Sequence, residues 1–163
     1  MAKPKSDGEE LNRLRQQIKN KEFGRLYFFY GEECFLLENY LAQVKKQLLD
    51  ELTESFNYHR FNTETFDLTA FGEAVEGLPM MAEHTLVQVD DVDPFKLTEG
   101  DRDRAAAILG DIPDYCTVIF VYPNVVWKPD KRMKKLWEAV DRQGSLVEFA
   151  KQDQRHLVDW LTR

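Results

Sequence analysis

Apolar positions along this chain switch repeatedly between a helical spacing and short continuous runs, and the switching predicts the elements. Leu11, Leu14 and Ile18 fall on one face of a first helix. The run Leu26–Tyr30 reads as a first strand, broken by Gly31. A long helix is expected from about Glu33 to Thr53, with Leu37, Leu41, Val44, Leu48 and Leu52 in a single stripe. "FNYHRF", residues 56–61, reads as a second strand whose polar interruptions place it at a sheet edge. Asp67 caps the next helix, which turns Leu68, Phe71 and Val75 inward and stops at Gly77 and Pro79.

"TLVQVDD", residues 85–91, is the third strand, and Ala105, Ile108 and Leu109 mark a helix ending near Gly110 and Pro113. "CTVIFVY", residues 116–122, is apolar almost throughout, as expected of a strand covered on both faces. Met133, Leu136, Trp137 and Val140 mark another helix, "LVEF" at 146–149 a fifth strand, and Leu157, Val158 and Leu161 a last helix beginning near Asp153. Strands alternating with helices imply right-handed crossovers and an α/β fold, a parallel sheet with helices on both faces.

With 163 residues, 43% hydrophobic and 12% aromatic, the chain has enough apolar material for one well-filled domain. Residues 1–8 read as a flexible terminus and 9–163 as the domain. The last helix runs to Arg163 without a closing signal, so the chain reads as a fragment of something longer. A net charge of −7 argues against general attraction to nucleic acid, while leaving room for a local basic patch. Cys34 and Cys116 each lie in an apolar element and read as reduced core thiols of a cytoplasmic protein. No apolar run approaches the roughly 20 residues a membrane span requires.

The junction "YFFYGEECFLLEN", residues 27–39, stands where many nucleotide-binding folds keep their phosphate loop. A working loop reads G-x-x-x-x-G-K-[ST]: glycines let N–H groups close on phosphates, the lysine neutralises charge and the hydroxyl binds magnesium. Counting from Gly31 puts Leu36 at the second glycine, Leu37 at the lysine and Glu38 at the hydroxyl. Glu32, Glu33 and Glu38 complement the helix dipole themselves, which leaves little reason for an anion to bind. The expectation is a turn glycine, with Phe35 and Leu37 in the core and no nucleotide cofactor. "LVQVDD" raises the parallel question of a Walker B carboxylate at Asp90 or Asp91; the alternative is a solvated strand end.

"LYFFYGEECFLLENYL", "FGEAVEGLPMMAEHTLVQVDD", "DKRMKKLWEAV" and "GSLVEF" together resemble the delta subunit of the bacterial DNA polymerase III clamp loader. The resemblance runs from about Leu26 to the end and covers only the N-terminal, AAA+-like domain of that subunit; lid and collar domains would follow. It implies a three-layer, RecA/AAA+-like sheet of five parallel strands in the order 5-1-4-3-2, with a defective ATP site. It further implies a role in DNA replication: binding the sliding clamp (the beta subunit) and helping to open the ring. The implied partners are that clamp, the other clamp-loader subunits, and primed DNA in the full complex. The polymerising, nucleotidyltransferase site belongs to another chain. The family's apolar projection falls on Leu78, Pro79, Met80 and Met81, where many members carry larger side chains at the last two positions.

That projection has a case of its own. Gly77 and Pro79 place the two methionines in a turn, where chain usually lies at the surface. Adjacent exposed methionines suit a partner's pocket, although one could instead pack beneath the third strand. "KPDKRMKK" gathers Lys128, Lys131, Arg132, Lys134 and Lys135 at a helix start, either as a solvated face or as a contact for DNA or another subunit. His59, His84 and His156 are scattered without metal-ligand spacing, and no nucleophile signature occurs. Trp127, Trp137 and Trp160 read as packing residues. Two other function classes remain open: a P-loop-like ATPase with an unusual loop, and a nucleic-acid-binding regulator.

Overall fold

The structure is a computed structural model that describes residues 7–150. Its elements, in chain order, are α1 (Asp7–Asn20), β1 (Leu26–Tyr30), α2 (Cys34–Leu48), α3 (Glu54–Asn57), β2 (Tyr58–Phe61), α4 (Leu68–Glu76), β3 (Thr85–Asp90), α5 (Glu99–Leu109), β4 (Cys116–Val121), α6 (Lys134–Gln143) and β5 (Gly144–Glu148). Helix α1 already includes Asp7 and Gly8, which the sequence assigned to the terminus. The expected last helix, with Leu157, Val158, Trp160 and Leu161, lies outside the described residues.

All five strands pair in parallel, in the order β2-β3-β4-β1-β5. This is the expected order read from the opposite edge. Side chains alternate faces along each strand. Leu26 and Phe28 of β1, with Val118 and Phe120 of β4, pack under α4, α5 and α6. Tyr27 and Phe29, with Ile119 and Val121, pack under α1 and α2. Every residue of β4 is buried, as its unbroken apolar run requires. β2 sits at the edge, where its Tyr, His and Arg keep water on one side.

The helix-covered core is rich in stacked rings. Phe28 lies 4.9 Å from Phe120 and 4.9 Å from Trp127, and Trp127 lies 4.7 Å from Tyr122, all nearly parallel. Such ring pairs add about 0.5–1.5 kcal/mol each beyond the area they bury. Trp127 is thus a packing residue, and Trp137 is half buried against the same cluster. α4 starts as its sequence predicts: Asp67 Oδ2 accepts the Ala70 N–H at 2.9 Å.

Four details depart from the sequence reading. α2 ends at Leu48, because Leu49 turns extended and Asp50 Oδ1 takes the Leu52 N–H at 3.0 Å. Leu52, expected on the α2 stripe, is therefore exposed in a turn, and Phe56, expected in β2, belongs to the short helix α3. Phe35 is 80% exposed rather than in the core. Two residues along a helix is about 200° of rotation, so a buried Leu37 turns Phe35 outward. Cys34 is likewise exposed, beside the mouth of the sheet, where its Sγ lies 3.3 Å from the Pro123 carbonyl. Cys116 is buried as expected.

Candidate functional site

The turn after β1 is built by close backbone approach. Gly31 has φ of 127°, and a Cβ there would lie 2.4 Å from the Phe149 carbonyl oxygen. Only glycine fits both that angle and that gap. The Phe149 N–H donates to Tyr30 O at 2.7 Å, and the Glu33 N–H donates to Phe149 O at 2.9 Å. The Cys34 N–H points to Glu32 O at 3.0 Å. Two of the N–H groups at the helix start thus face carbonyls of the chain itself. Leu37 is fully buried under α2, Leu36 is packed beside it, and Glu38 faces the cleft between α2 and the sheet.

That cleft, about 250 Å³, is lined by Glu38, Lys45, Tyr58, Arg60, Gln88 and Asp90 among others. Tyr58, Arg60, Gln88 and Asp90 bond to one another across it. The Tyr58 hydroxyl donates to Gln88 Oε1 at 2.7 Å, and Gln88 Nε2 donates to Asp90 Oδ1 at 2.8 Å. Arg60 Nε donates to the other oxygen of Asp90 at 3.0 Å. Lys45 lies 4.2 Å from the centroid of the Tyr58 ring and 3.0 Å from Glu54. Burial pushes the Tyr58 hydroxyl pKa up, and the Asp90 hydrogen bond does the same for Arg60. Asp91 adopts φ of 58° and accepts from the Asn124 N–H at 3.1 Å and its side-chain amide at 2.9 Å. Both candidate Walker B carboxylates are therefore engaged with protein donors. Among the described residues, no group of three or more His, Cys, Asp or Glu is placed to hold a metal ion.

The loop from Gly77 to Thr85 lies at the opposite end of the sheet, where β2 and β3 begin side by side with Tyr58 opposite Leu86. Gly77 closes α4 by donating to Glu73 O at 2.9 Å. Leu78, Met80 and Met81 are then 76%, 55% and 87% exposed, while Pro79 is half buried. The loop is held at its start and at Met80. The Tyr115 hydroxyl donates to Glu76 O, and Asn57, at the end of α3, takes hold of Met80. Its Oδ1 accepts the Met80 N–H at 2.7 Å, and its Nδ2 donates to Met80 O at 2.9 Å. Met81 has φ of 58°, a left-handed conformation uncommon outside glycine. Sequence reading found the methionines and missed Asn57, whose partner lies 23 residues away.

The five basic residues are all exposed. Lys128, Lys131 and Arg132 lie in the β4–α6 connection, and Lys134 and Lys135 open α6. Arg132 donates from Nε and Nη2 to the two oxygens of Asp130, each at 3.0 Å. Lys131 sits 5.1 Å from the centroid of the Trp137 ring, and Lys135 lies 3.9 Å from Asp103. Cations in the first turn of α6 oppose its dipole.

Sheet order, the strand-to-helix turn at Gly31 and helices on both faces define a RecA/AAA+-like α/β domain. Residues 27–150 match the family described as "DNA polymerase III, delta subunit". The chain belongs to that family. It is 25% identical over 151 residues to DNA polymerase III subunit delta of Bacillus subtilis (strain 168), across 89% of this chain and 43% of that one. The solved Bacillus subtilis DNA clamp loader delta protein matches its fold with a TM-score of 0.77 at 20% identity, covering 92% of this chain and 45% of that one. A DNA polymerase III gamma subunit-related protein from Thermotoga maritima shares the fold at a TM-score of 0.52 and 13% identity, over 94% and 49% of the two chains. The chain thus spans less than half the length of these relatives.

Proposed function

We propose that this chain is the clamp-binding domain of a clamp-loader delta subunit, acting in DNA replication by gripping the sliding clamp and helping to open its ring. The observation that carries the reading is the exposed Leu78–Met81 projection, whose backbone is tied down just before it at Glu76 and within it at Met80. Apolar side chains held in water on a firm base suit a pocket on a partner. Full burial of each methionine would contribute about 1.5–3 kcal/mol. Methionine's flexible thioether suits a pocket shaped for a larger side chain.

Ring opening sets a further condition. A binder that holds closed and open rings equally shifts nothing, so contacts must improve as the ring opens. Met80 and Met81 serve as the anchor, and α4, which leads into the loop, bears on the clamp surface beside its interface. The domain carries no chemistry and no nucleotide of its own. The absent lysine and hydroxyl at Leu37 and Glu38 support this, as do the engaged N–H groups of Glu33 and Cys34. Other clamp-loader subunits, and primed DNA in the full complex, complete the partners.

The basic connection supports a second contact. Lys134 and Lys135 sit at the dipole end that disfavours them, so an acidic partner, DNA backbone or a neighbouring subunit, would relieve that position. Charge reversal at Lys128, Lys131 and Lys134 should then weaken loader–DNA affinity and flatten its salt dependence.

Gel filtration of the chain with the cognate sliding clamp, with and without ATP–Mg²⁺, tests the main reading. Co-elution in both conditions is expected. Separate elution, or association only with nucleotide, would contradict it.

A further inference from the structure

We propose that Asn57 is a positioning residue of the clamp contact, holding the Met80–Met81 turn in its binding shape before the clamp arrives. The proposal rests on the reading that these methionines seat in the clamp.

Asn57 is 1% exposed, yet none of its hydrogen bonds serves a regular element across the core. A side-chain amide offers two donor hydrogens and one acceptor oxygen. Here Nδ2 donates to the O of Thr53, the residue just before α3, at 3.1 Å and to Met80 O at 2.9 Å, while Oδ1 accepts the Met80 N–H at 2.7 Å. The amide therefore pairs with both backbone groups of Met80 much as a neighbouring strand would. The residue so gripped, like Met81 after it, turns its side chain to solvent. Packing of those side chains thus does little to hold the turn. Met81 also sits in a left-handed conformation that a free loop would readily leave.

The two observations fit together. A turn whose apolar tips lie in water needs its backbone fixed by polar bonds, and the fixing group is a buried amide delivered from α3. Ordering a loop at the moment of binding costs affinity, and ordering it beforehand removes that cost. Asn57 touches no clamp atom in this scheme; it acts through Met80. Its neighbour Thr53, whose carbonyl takes the remaining donor, keeps the amide plane from rotating away.

The test is a double-mutant cycle on the full chain, with affinity for the purified cognate clamp and thermal unfolding measured for each variant. The set is the parent, Asn57→Ala, Met80→Ala/Met81→Ala, and all three together. Asn57→Ala should weaken clamp binding about tenfold in the parent, the expected effect of loosening one loop. In the double-alanine background it should leave binding unchanged, while lowering the unfolding temperature in both. A role in the fold alone would not produce that coupling. Backbone amide exchange at Met80 and Met81 should also quicken in Asn57→Ala while the β4 amides stay protected. If Asn57→Ala does not unfold cooperatively, Asn57→Asp goes through the same cycle; it keeps the bond from the Met80 N–H and loses both donor bonds. Unchanged clamp affinity in the folded Asn57 variant, or an equal loss in both backgrounds, overturns the proposal and leaves the methionine anchor standing. Parent-like binding by the double-alanine chain overturns the anchor itself.

Discussion

Arg60 on the edge strand donates from Nε at 3.0 Å and from Nη2 at 2.5 Å to the same oxygen of Asp90, at the end of β3. Gln88 holds the other Asp90 oxygen at 2.8 Å. A carboxylate at the end of the third strand invites comparison with a magnesium ligand, but this one faces a guanidinium. Replacing Arg60 with Met would leave Asp90, largely buried, with one donor. The cost should be about 1–2 kcal/mol, moderated because the arginine is itself well exposed. Urea unfolding measures it, and Mg²⁺ at millimolar level should not restore the loss. Recovery of stability with Mg²⁺ would mean that the carboxylate is a metal ligand.

Gly31 tests the geometry of the β1–α2 turn. An alanine there brings a methyl group within 2.4 Å of the Phe149 carbonyl, in a conformation side chains rarely adopt. Strain and overpacking together should destabilise Gly31→Ala by about 2–5 kcal/mol. Guanidinium unfolding reads this directly. A near-neutral variant would show that β5 does not lie against the turn.

The cysteines should separate by reactivity. Cys34 is exposed, whereas Cys116 is buried and its thiol pKa is pushed up to about 11 by burial. A native-state thiol titration with an aromatic disulfide should give one fast equivalent, lost in Cys34→Ser, and a second only on unfolding. Two fast equivalents would mean that β4 is open to solvent.

His59 predicts a pH effect. Partial burial holds its pKa below the ordinary 6.5. The unfolded chain therefore binds a proton first as pH falls. Stability from this group is present above about pH 6.5 and is lost as pH drops toward the folded value. Between pH 7.5 and 5.5 the parent should lose more stability than His59→Gln. Parallel losses in the two would remove the histidine from the account.

The architecture was legible because its signals are periodic. Continuous apolar runs gave β1 and β4, β-branched residues gave β3, and Asp67 marked the start of α4 through a local bond. The errors came where period alone cannot judge. Leu52 continues the α2 spacing in sequence, but the chain has left the helix by Leu49. Phe35 and Cys34 are apolar by type and sit at the helix mouth, where nothing covers them. Of the candidate site, Met80 and Met81 could be found from the turn residues around them. Asn57 could not. Its meaning arises only when the α3–β2 and α4–β3 junctions come together at one end of the sheet.

Calorimetric titration of the cognate sliding clamp into the parent chain and into Met80→Ala/Met81→Ala tests the anchor most directly. Phe35→Ala, an exposed ring at the other end of the sheet, serves as the control. Loss of two exposed apolar tips that become buried on binding should weaken affinity by about 3 kcal/mol, roughly a hundredfold, with the control unchanged. A folded double variant that binds the clamp as tightly as the parent would contradict the account.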